Sequence, residues 1–330
     1  MEAFEHLLAE GYVPPRDIWF FSSCCEESAG PTADHAVQWL EDHGVHPYMV
    51  LDEGGAVATG VPLGVSSPMA MVGVSEKGHI DLTVSAHAAG GHASAPSRND
   101  ATRLLVRATE RICAHPGKPQ VTAAVAAMLK ELSARGSFAY RMVFANMWLF
   151  RPLVGRILAS GSETGPMVRS TYALTQLMGS SARNVLPSQA SANRNVRIAP
   201  FESVAVVLDR ARKQAQAECS SSGVPDDCIT VDFSKDSLIN EPSPFSPYDD
   251  AAFDYIRRCV AGVYPEAGVC PYVQSSCSDA RSFTKICNRV YRFAAFIYSP
   301  EAREKLIHGT DERIAVKDDK RGVEFYACPF

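Results

Sequence analysis

DIWFFSSCCEESAGPTADHAVQWLEDHGVHPYMVLD, residues 17–52, is the stretch that decides the fold of this chain. Residues 17–22 and 48–51 are short runs of β-favouring residues. The stretch between them, from Thr32 to His43, has the apolar spacing of a helix and is followed by Gly44, a residue that commonly ends helices. The pattern therefore predicts a strand-helix-strand unit and places the chain in the α/β class.

Three carboxylates follow the two predicted strands. Glu26 and Glu27 come after the first strand, and Asp52 ends the second. Ligands of open α/β sheets bind beyond the carboxyl ends of the strands, so we expect these side chains to share one crevice. In a turn made by residues 28–31, one glutamate could bind a metal while its neighbour takes a proton from metal-bound water. The alternative is that both are solvated charges near the N-terminus of the next helix.

Seven short blocks occur in a fixed order along the chain. They are LLAEGYVP (7–14), CEESAG (25–30), VLDEGG (50–55), GGHASAP (90–96), NVLP (184–187), SDAR (278–281) and HGTDERI (308–314). From Ala3 to Ile314 the ordered set resembles the zinc-dependent aminoacylase and carboxypeptidase superfamily, which includes acetylornithine deacetylase, carboxypeptidase G and the Gly-X carboxypeptidases. The resemblance implies a catalytic domain with a mixed, mostly parallel sheet flanked by helices. It also implies an inserted α+β domain that serves as a lid and dimerisation domain.

The resemblance assigns roles to residues of the catalytic domain. It makes Glu26 the general base of a site that holds two zinc ions. Glu27 would bind one zinc together with His308, and Asp52 would bind the other. Zinc accepts carboxylate oxygen and imidazole nitrogen, so these residue types agree with the assigned roles.

The chain departs from the family pattern in two places. The family carries a His-x-Asp motif and a metal-bridging aspartate upstream of the glutamate pair, whereas the one histidine upstream here, His6, lies in a predicted helix from Glu2 to Glu10. We therefore expect an incomplete ligand set and a family member truncated at its N-terminus. The second departure is Cys25, which stands where the family usually has aspartate. We predict that Cys24 and Cys25 are buried, unreactive thiols.

A change in the pattern of apolar residues along the sequence predicts the domain division. Residues 79–86 alternate as a half-buried strand does, a helix with Leu104, Ala108 and Ile112 on one stripe follows, and a second helix over residues 202–218 precedes a strand at 228–233. This is a β-α-β-β-α-β plan. We predict a catalytic domain at residues 1–75 and 238–330 and a lid/dimerisation domain at residues 76–237. The helix-rich stretch from 119 to 160 is expected to serve in core packing.

Three residues of the lid domain gain roles from the resemblance. His92 would stabilise the oxyanion in the active site of a second subunit, and Asn184 and Arg197 would bind the free carboxylate of the substrate. By residue type alone, His92 and Arg197 could equally be exposed strand residues. Asp279 could lie near the metals or could cap a helix.

Composition excludes several classes of protein. The 330 residues are 46% hydrophobic and 21% charged, which is typical of a globular chain large enough for two domains. A net charge of −5 and the lack of a basic run argue against a nucleic-acid partner. Apolar stretches at 121–129 and 142–154 are too short, or too interrupted by charge, to span a membrane, so no membrane partner is expected. Scattered cysteines without C-x-x-C or a signal peptide predict a reduced, cytoplasmic compartment.

The predicted function is a metal-dependent hydrolase of amide bonds in N-acyl amino acids or of C-terminal peptide bonds. Its cofactor would be zinc, its partner a small-molecule substrate with a free carboxylate, and its assembly a homodimer through the lid domain. The alternative is a truncated, non-catalytic family member that acts as a dimeric binding module.

Overall fold

The computed structural model describes residues 1–28, 30–61, 65–300, 309–310 and 312–328. The chain forms two compact units. The first contains Met1–Glu76, Val121–Pro152 and Ser243–Phe330, and the second contains Lys77–Gln120 and Leu153–Pro242. The assignment of catalytic and dimerisation roles to these units stays a prediction.

The described residues form strands and helices along the whole chain. The strands are β1 (Val50–Asp52), β2 (Val57–Ala58), β3 (Met69–Glu76), β4 (Gly78–His87), β5 (Gly91–His92), β6 (Thr171–Met178), β7 (Val185–Leu186), β8 (Gln189–Ile198), β9 (Ile229–Phe233), β10 (Gly268–Gln274), β11 (Val290–Arg292) and β12 (Ile297–Tyr298). The helices are α1 (Glu2–Ala9), α2 (Thr32–Asp42), α3 (Ala101–Ala114), α4 (Ala123–Ala134), α5 (Phe138–Ala145), α6 (Met147–Ser160), α7 (Gly165–Val168), α8 (Val204–Ser222), α9 (Ala251–Val263), α10 (Ala280–Phe283) and α11 (Val316–Tyr326).

A six-stranded mixed sheet forms the centre of the first unit. Its order is β1-β11-β3-β2-β12, and β10 pairs with β3. The pairs β1–β11, β3–β10 and β2–β12 are parallel, whereas β3 runs antiparallel to β11 and to β2. Strand β3 is buried along almost its whole length, as expected for a strand covered on both faces. The predicted mixed, mostly parallel sheet is confirmed.

Helix α2 forms where the sequence predicts it. Its residues Ala33, Val37 and Leu40 are buried and belong to one core cluster with Phe283 and Val290. Their spacing puts them on one face of the helix, which explains why this face packs inward. Helix α1 also forms as predicted, and His6 is an exposed residue on it, with Nε2 3.5 Å from Glu10 Oε1.

The predicted strand at residues 17–22 is wrong. These residues are irregular, and Trp19 and Phe20 remain 55% and 64% exposed. A strand needs a hydrogen-bonded neighbour, and within the described ranges no other strand pairs with this segment. The predicted strand-helix-strand unit is therefore reduced to α2 and β1.

The second unit follows the predicted β-α-β-β-α-β plan. Its four-stranded sheet has the order β6-β8-β4-β9, and every pair is antiparallel. Residues of β4 alternate between buried and partly exposed, and Ile80, Leu82 and Val84 pack in one core with α3 and α8. Asp100 begins α3 by accepting a hydrogen bond from the Arg103 N–H at 3.0 Å. Helix α8 ends at Ser222 and is capped by Gly223, which has φ +66°.

The helix-rich stretch 119–160 divides into two parts. Helix α4 packs as predicted, with Val125, Met128 and Leu129 buried. Helix α5 and the start of α6 do not, because Phe138 and Trp148 are 77% and 81% exposed. Between residues 1 and 328, as far as they are described, we find no single helix of sufficient length and apolarity to cross a membrane.

The cysteines differ from the prediction in two respects. Cys259 of α9 forms a disulfide with Cys328, which follows α11, whereas the sequence predicts reduced cysteines. Cys24 is exposed and Cys25 is partly exposed, so the prediction of buried thiols is wrong for this pair. The reason is that the irregular segment before them leaves this part of the chain at the surface.

Candidate functional site

A turn over residues 24–28 carries Glu26 and Glu27. The Gly30 N–H donates to the Cys25 carbonyl oxygen at 2.8 Å, and Ser28 Oγ donates to the same oxygen at 3.1 Å. Gly30 lies so close to the Cys25 side chain that a Cβ at position 30 would collide with it. Glycine at position 30 therefore allows the turn to close directly before α2.

The charges of four carboxylates, those of Glu27, Asp52, Glu53 and Asp279, reach Glu26 in this turn, and we call the five residues the acidic cluster. Burial raises the pKa of Glu26, and the negative charges of Glu53, Glu27, Asp279 and Asp52 raise it further. Glu26 is partly exposed and Glu27 is exposed. The structure thus brings Glu26, Glu27 and Asp52 together, and it adds Glu53 and Asp279 to them.

Asp52 is fixed by backbone contacts at the end of β1. Its Oδ2 accepts a hydrogen bond from the Ala280 N–H at 2.8 Å, and its carbonyl oxygen accepts one from the Phe293 N–H at 2.7 Å. Asp279 precedes α10 and is 8% exposed, yet its side chain makes no capping hydrogen bond to that helix. Asp52 therefore caps α10, and the capping explanation for Asp279 is wrong.

A buried ion pair lies on the strands next to Asp52. Arg292, which is opposite Asp52 in the β1–β11 register, has Nε 3.2 Å from Glu76 Oε2, and the two side chains are 0% and 1% exposed. Ser278 Oγ donates to the same Glu76 oxygen at 3.3 Å. Burial raises the pKa of Glu76, against the opposing effect of the Arg292 charge. Burial lowers the pKa of Arg292, while the charges of Glu76 and Asp52 act to raise it.

Sequence reasoning missed Glu53, Glu76 and Arg292. The signal for Glu53 is its position directly after Asp52 at a strand end. Glu76 ends the apolar run MAMVGVSE, and a charge at the end of a buried strand indicates a buried partner. Arg292 lies 216 residues further along the chain, so no local pattern indicates the pair.

The acidic cluster has the donor chemistry of a zinc site, because zinc accepts carboxylate oxygens. The other predicted ligand, His308, lies outside the described residues. In the part of the chain that the structure describes, no three histidine, cysteine, aspartate or glutamate side chains are arranged to hold a metal ion. The donor types therefore fit a divalent metal, but the described residues do not complete its coordination.

His92 and Asn184 lie together in the second unit. His92 pairs with Val185 in the short β5–β7 ladder, and the Ala93 N–H donates to the Asn184 carbonyl oxygen at 2.9 Å. His92 is exposed, and its Nδ1 accepts a hydrogen bond from the Ser94 N–H at 3.2 Å. Because Nδ1 accepts, the neutral ring carries its proton on Nε2. Nε2–H can then donate to an oxygen atom of a ligand.

Arg197 lies far from Asn184 within the same chain. It is a partly exposed residue of β8, between His79 on β4 and Thr171 on β6. Eight residues of extended strand separate it from Gln189 at the start of β8, a distance of about 26 Å. The β5–β7 ladder with Asn184 extends beyond the Gln189 end, since the Ala88 N–H bonds the Ser188 carbonyl oxygen. The structure therefore does not bring Asn184 and Arg197 together.

The chain is similar to known proteins in sequence and in structure. A profile of the family described as Peptidase family M20/M25/M40 matches residues 1–328. The chain is 29% identical over 329 residues to "Probable carboxypeptidase S-like 2" of Dictyostelium discoideum, a match that covers 99% of this chain and 61% of that protein. It is 31% identical over 330 residues to the Homo sapiens "N-fatty-acyl-amino acid synthase/hydrolase PM20D1", covering 98% of this chain and 63% of that protein. The chain thus spans about three fifths of the length of these curated relatives.

Solved structures share the fold. Human carnosine dipeptidase 1 matches with a TM-score of 0.61 and 15% identity, covering 99% of this chain and 68% of that one. An M20 family metallo-carboxypeptidase from Sulfolobus solfataricus matches with a TM-score of 0.61 and 14% identity, covering 99% of this chain and 73% of that one. At these identities the likeness concerns the fold alone.

Proposed function

Because this chain belongs to peptidase family M20/M25/M40, we propose that it is a metal-dependent hydrolase of an amide bond in a substrate with a free carboxylate. The substrate would be an N-acyl amino acid or a peptide cleaved at its C-terminal bond. The acidic cluster carries this proposal, because a glutamate with a raised pKa among carboxylates has the property of a general base. Relatives named as carboxypeptidase S-like and as N-fatty-acyl-amino acid hydrolases support the substrate class. No observation favours the alternative, a non-catalytic binding module.

Each chemical role falls to a named side chain. Glu26 takes a proton from the attacking water as the water oxygen bonds to the amide carbon. It then gives that proton to the nitrogen, so that the C–N bond breaks and the amine leaves neutral. The Nε2–H of His92 from a second copy of the chain would donate to the oxyanion. Asn184 and Arg197, contributed by different copies, would bind the substrate carboxylate.

We propose that the cofactor is zinc, with one ion held by Glu27 and His308 and a second ion held by Asp52. Bound there, it would polarise the amide carbonyl as a Lewis acid. The support is the donor type of these side chains and the position of Glu27 and Asp52 in the acidic cluster.

The experiment that tests the proposal replaces Glu26 by glutamine. Glu26→Gln should lower kcat about 100- to 10,000-fold, because the water then lacks its general base. Zinc content, measured by elemental analysis after gel filtration, should stay at the wild-type value, since Glu26 is not proposed as a ligand. The matched control is Glu110→Gln, a change at an exposed glutamate of α3. Wild-type turnover in Glu26→Gln would refute the assignment.

We also propose that the chain forms a homodimer through the second unit. Strand β6 is the edge of its sheet, and Leu174, Leu177 and Met178 on it are 43%, 58% and 67% exposed. An edge strand with exposed apolar residues is a ready surface for pairing with another chain.

A further inference from the structure

Helix α5 and the first half of α6 expose a concentration of large apolar side chains. Phe138, Met142, Trp148 and Leu149 are 77%, 54%, 81% and 57% exposed, and Tyr140 is 37% exposed. Phe138 and Met142 are one turn apart on α5, whereas Tyr140 lies on another side of that helix and stacks on the buried Phe144. We therefore call the four residues Phe138, Met142, Trp148 and Leu149 the α5–α6 face. Single exposed apolar residues are ordinary, but a concentration that includes an almost fully exposed tryptophan indicates a binding surface.

The segment of sequence that carries this face, between Glu131 and Glu163, has only positive charges. Residues 132–162 contain four arginines, at 135, 141, 151 and 156, and no aspartate or glutamate, in a chain whose net charge is −5. Arg141 Nη2 donates to the Ala134 carbonyl oxygen at 2.8 Å, and Arg151 Nε donates to the Val121 carbonyl oxygen at 2.7 Å. Neither arginine pairs with a carboxylate in the described ranges, so their charges are not neutralised there.

The length and angle of the two helices decide how they could meet a membrane. They have 8 and 14 residues and are bent by 112° at the break between them. Helices of these lengths measure about 12 Å and 21 Å, short of the roughly 30 Å hydrocarbon core of a bilayer. Neither helix can span the core, but both can lie in the interface, where tryptophan, tyrosine and arginine are favoured.

We propose that the α5–α6 face docks this chain on the surface of a bilayer that contains anionic phospholipid. The apolar side chains would enter the boundary between headgroups and acyl chains, and Arg141 and Arg151 would contact lipid phosphates. A second copy of the chain is disfavoured as the occupant, because two-fold pairing of this face would bring the arginines of both copies together. The sequence-based expectation of no membrane partner considered only spanning helices. This inference is independent of the proposed hydrolase activity.

Vesicle flotation of the full 330-residue chain tests the proposal. Binding to phosphatidylcholine vesicles with about a third phosphatidylserine should exceed binding to pure phosphatidylcholine vesicles by about tenfold or more. Added salt should weaken it, because salt screens the arginine charges. The double substitution Trp148→Ser and Leu149→Ser should lower binding at least about tenfold. The matched control is Leu8→Ser, since Leu8 is 68% exposed on α1 and outside the face.

Fluorescence gives a second measurement that does not disturb the face. The chain has three tryptophans, at positions 19, 39 and 148. With Trp19→Phe and Trp39→Phe in place, the emission of Trp148 should shift to shorter wavelength on addition of anionic vesicles. Three results would each overturn the proposal. They are no flotation of the chain, equal flotation with both kinds of vesicle, and full binding by the double variant. A vesicle-free dimer that the double variant loses would also overturn it, because that dimer would identify a second copy as the occupant.

Discussion

Asp250 joins three parts of the first unit through one carboxylate. Its Oδ1 accepts hydrogen bonds from the N–H groups of Ala252 and Phe253, both at 3.1 Å, and so begins α9. Its Oδ2 accepts from Arg289 Nε at 2.6 Å. The Tyr291 hydroxyl, which donates to the Pro247 carbonyl oxygen at 2.8 Å, lies 3.3 Å from Oδ1. Burial acts to raise the pKa of Asp250, but the hydrogen bonds from Arg289 and from the backbone outweigh it and the pKa is lowered.

We expect Asp250→Ala to lower the free energy of unfolding by about 2 kcal/mol at neutral pH, through loss of the cap and of the charged hydrogen bond. A lowered pKa means that the folded chain releases this proton more readily than the unfolded chain. The stabilisation is therefore present above the ordinary aspartate pKa of about 3.9 and is lost as the pH falls through the folded value.

Urea unfolding at neutral pH and in acid measures both effects. The difference between wild type and Asp250→Ala should shrink below about pH 4. Asp254→Ala is the matched control, because Asp254 lies on the same helix and its side chain is 65% exposed. A difference that stays constant into acid would show that the charge of Asp250 does not stabilise the fold.

At the residue scale, the sequence located the acidic cluster only in part. Glu26, Glu27 and Asp52 were expected to converge because each follows a predicted strand. Only β1 before Asp52 forms, whereas residues 17–22 before the glutamates are irregular, so that reason holds for Asp52 alone. The sequence did not decide whether Asp279 lies near the metals or caps a helix. Its position near Glu26 depends on the contact between β1 and the start of α10. Long-range contacts of this kind leave no local pattern in the sequence.

At the scale of elements, α3 should depend strongly on its buried face. Leu104 is 0% exposed and packs in a core that includes Ile80 and Val207. Leu104→Ala should cost about 2–5 kcal/mol of unfolding free energy, because it removes apolar contacts and leaves a cavity. Val106→Ala is the control on the same helix, since Val106 is 54% exposed, and it should cost less than about 0.5 kcal/mol. Equal costs measured by denaturant unfolding would contradict the assigned face.

Strands were predicted well only where their pattern is local. The alternation of β4 comes from one exposed face and one buried face, so residues 79–86 were sufficient to identify it. Strand β3 was missed, because it is a continuous apolar run whose pairing with β10 joins residues about 200 positions apart. The run at 17–22 has the composition of a strand, but among the described residues no strand pairs with it. Composition alone does not make a strand, because a strand needs a hydrogen-bonded neighbour.

At the scale of the whole molecule, the Cys259–Cys328 disulfide connects α9 with the segment after α11. It closes a loop of 69 residues. A cross-link of this length should stabilise the folded chain by about 2–4 kcal/mol, chiefly by restricting the unfolded chain. Reducing agent should therefore lower the unfolding free energy of the wild type and leave Cys328→Ser unchanged. Cys24→Ser, at an exposed free cysteine, should respond to the reductant as the wild type does.

Arg197 lies near the end of β8, and Asn184 lies beyond the start of that strand, which has a consequence for mixtures of two inactive proteins. Arg197 is about 26 Å from Gln189 at the start of β8, and Asn184 lies beyond that end, so one small substrate cannot contact both side chains of a single chain. If both bind the same carboxylate, they must come from different copies, so Asn184→Ala and Arg197→Ala should complement each other. After random exchange of subunits, half of the dimers are hybrids, and each hybrid has one site with both side chains intact.

Mixing the two variants in equal amounts should therefore restore about a quarter of the wild-type turnover, while each variant alone stays impaired. As a control for concentration, each variant is measured alone at the total protein concentration of the mixture. A mixture that stays as impaired as its components, although subunit exchange is demonstrated with a labelled chain, would mean that the two residues do not serve one substrate. Recovery would instead show that two damaged genes can together yield a working hydrolase.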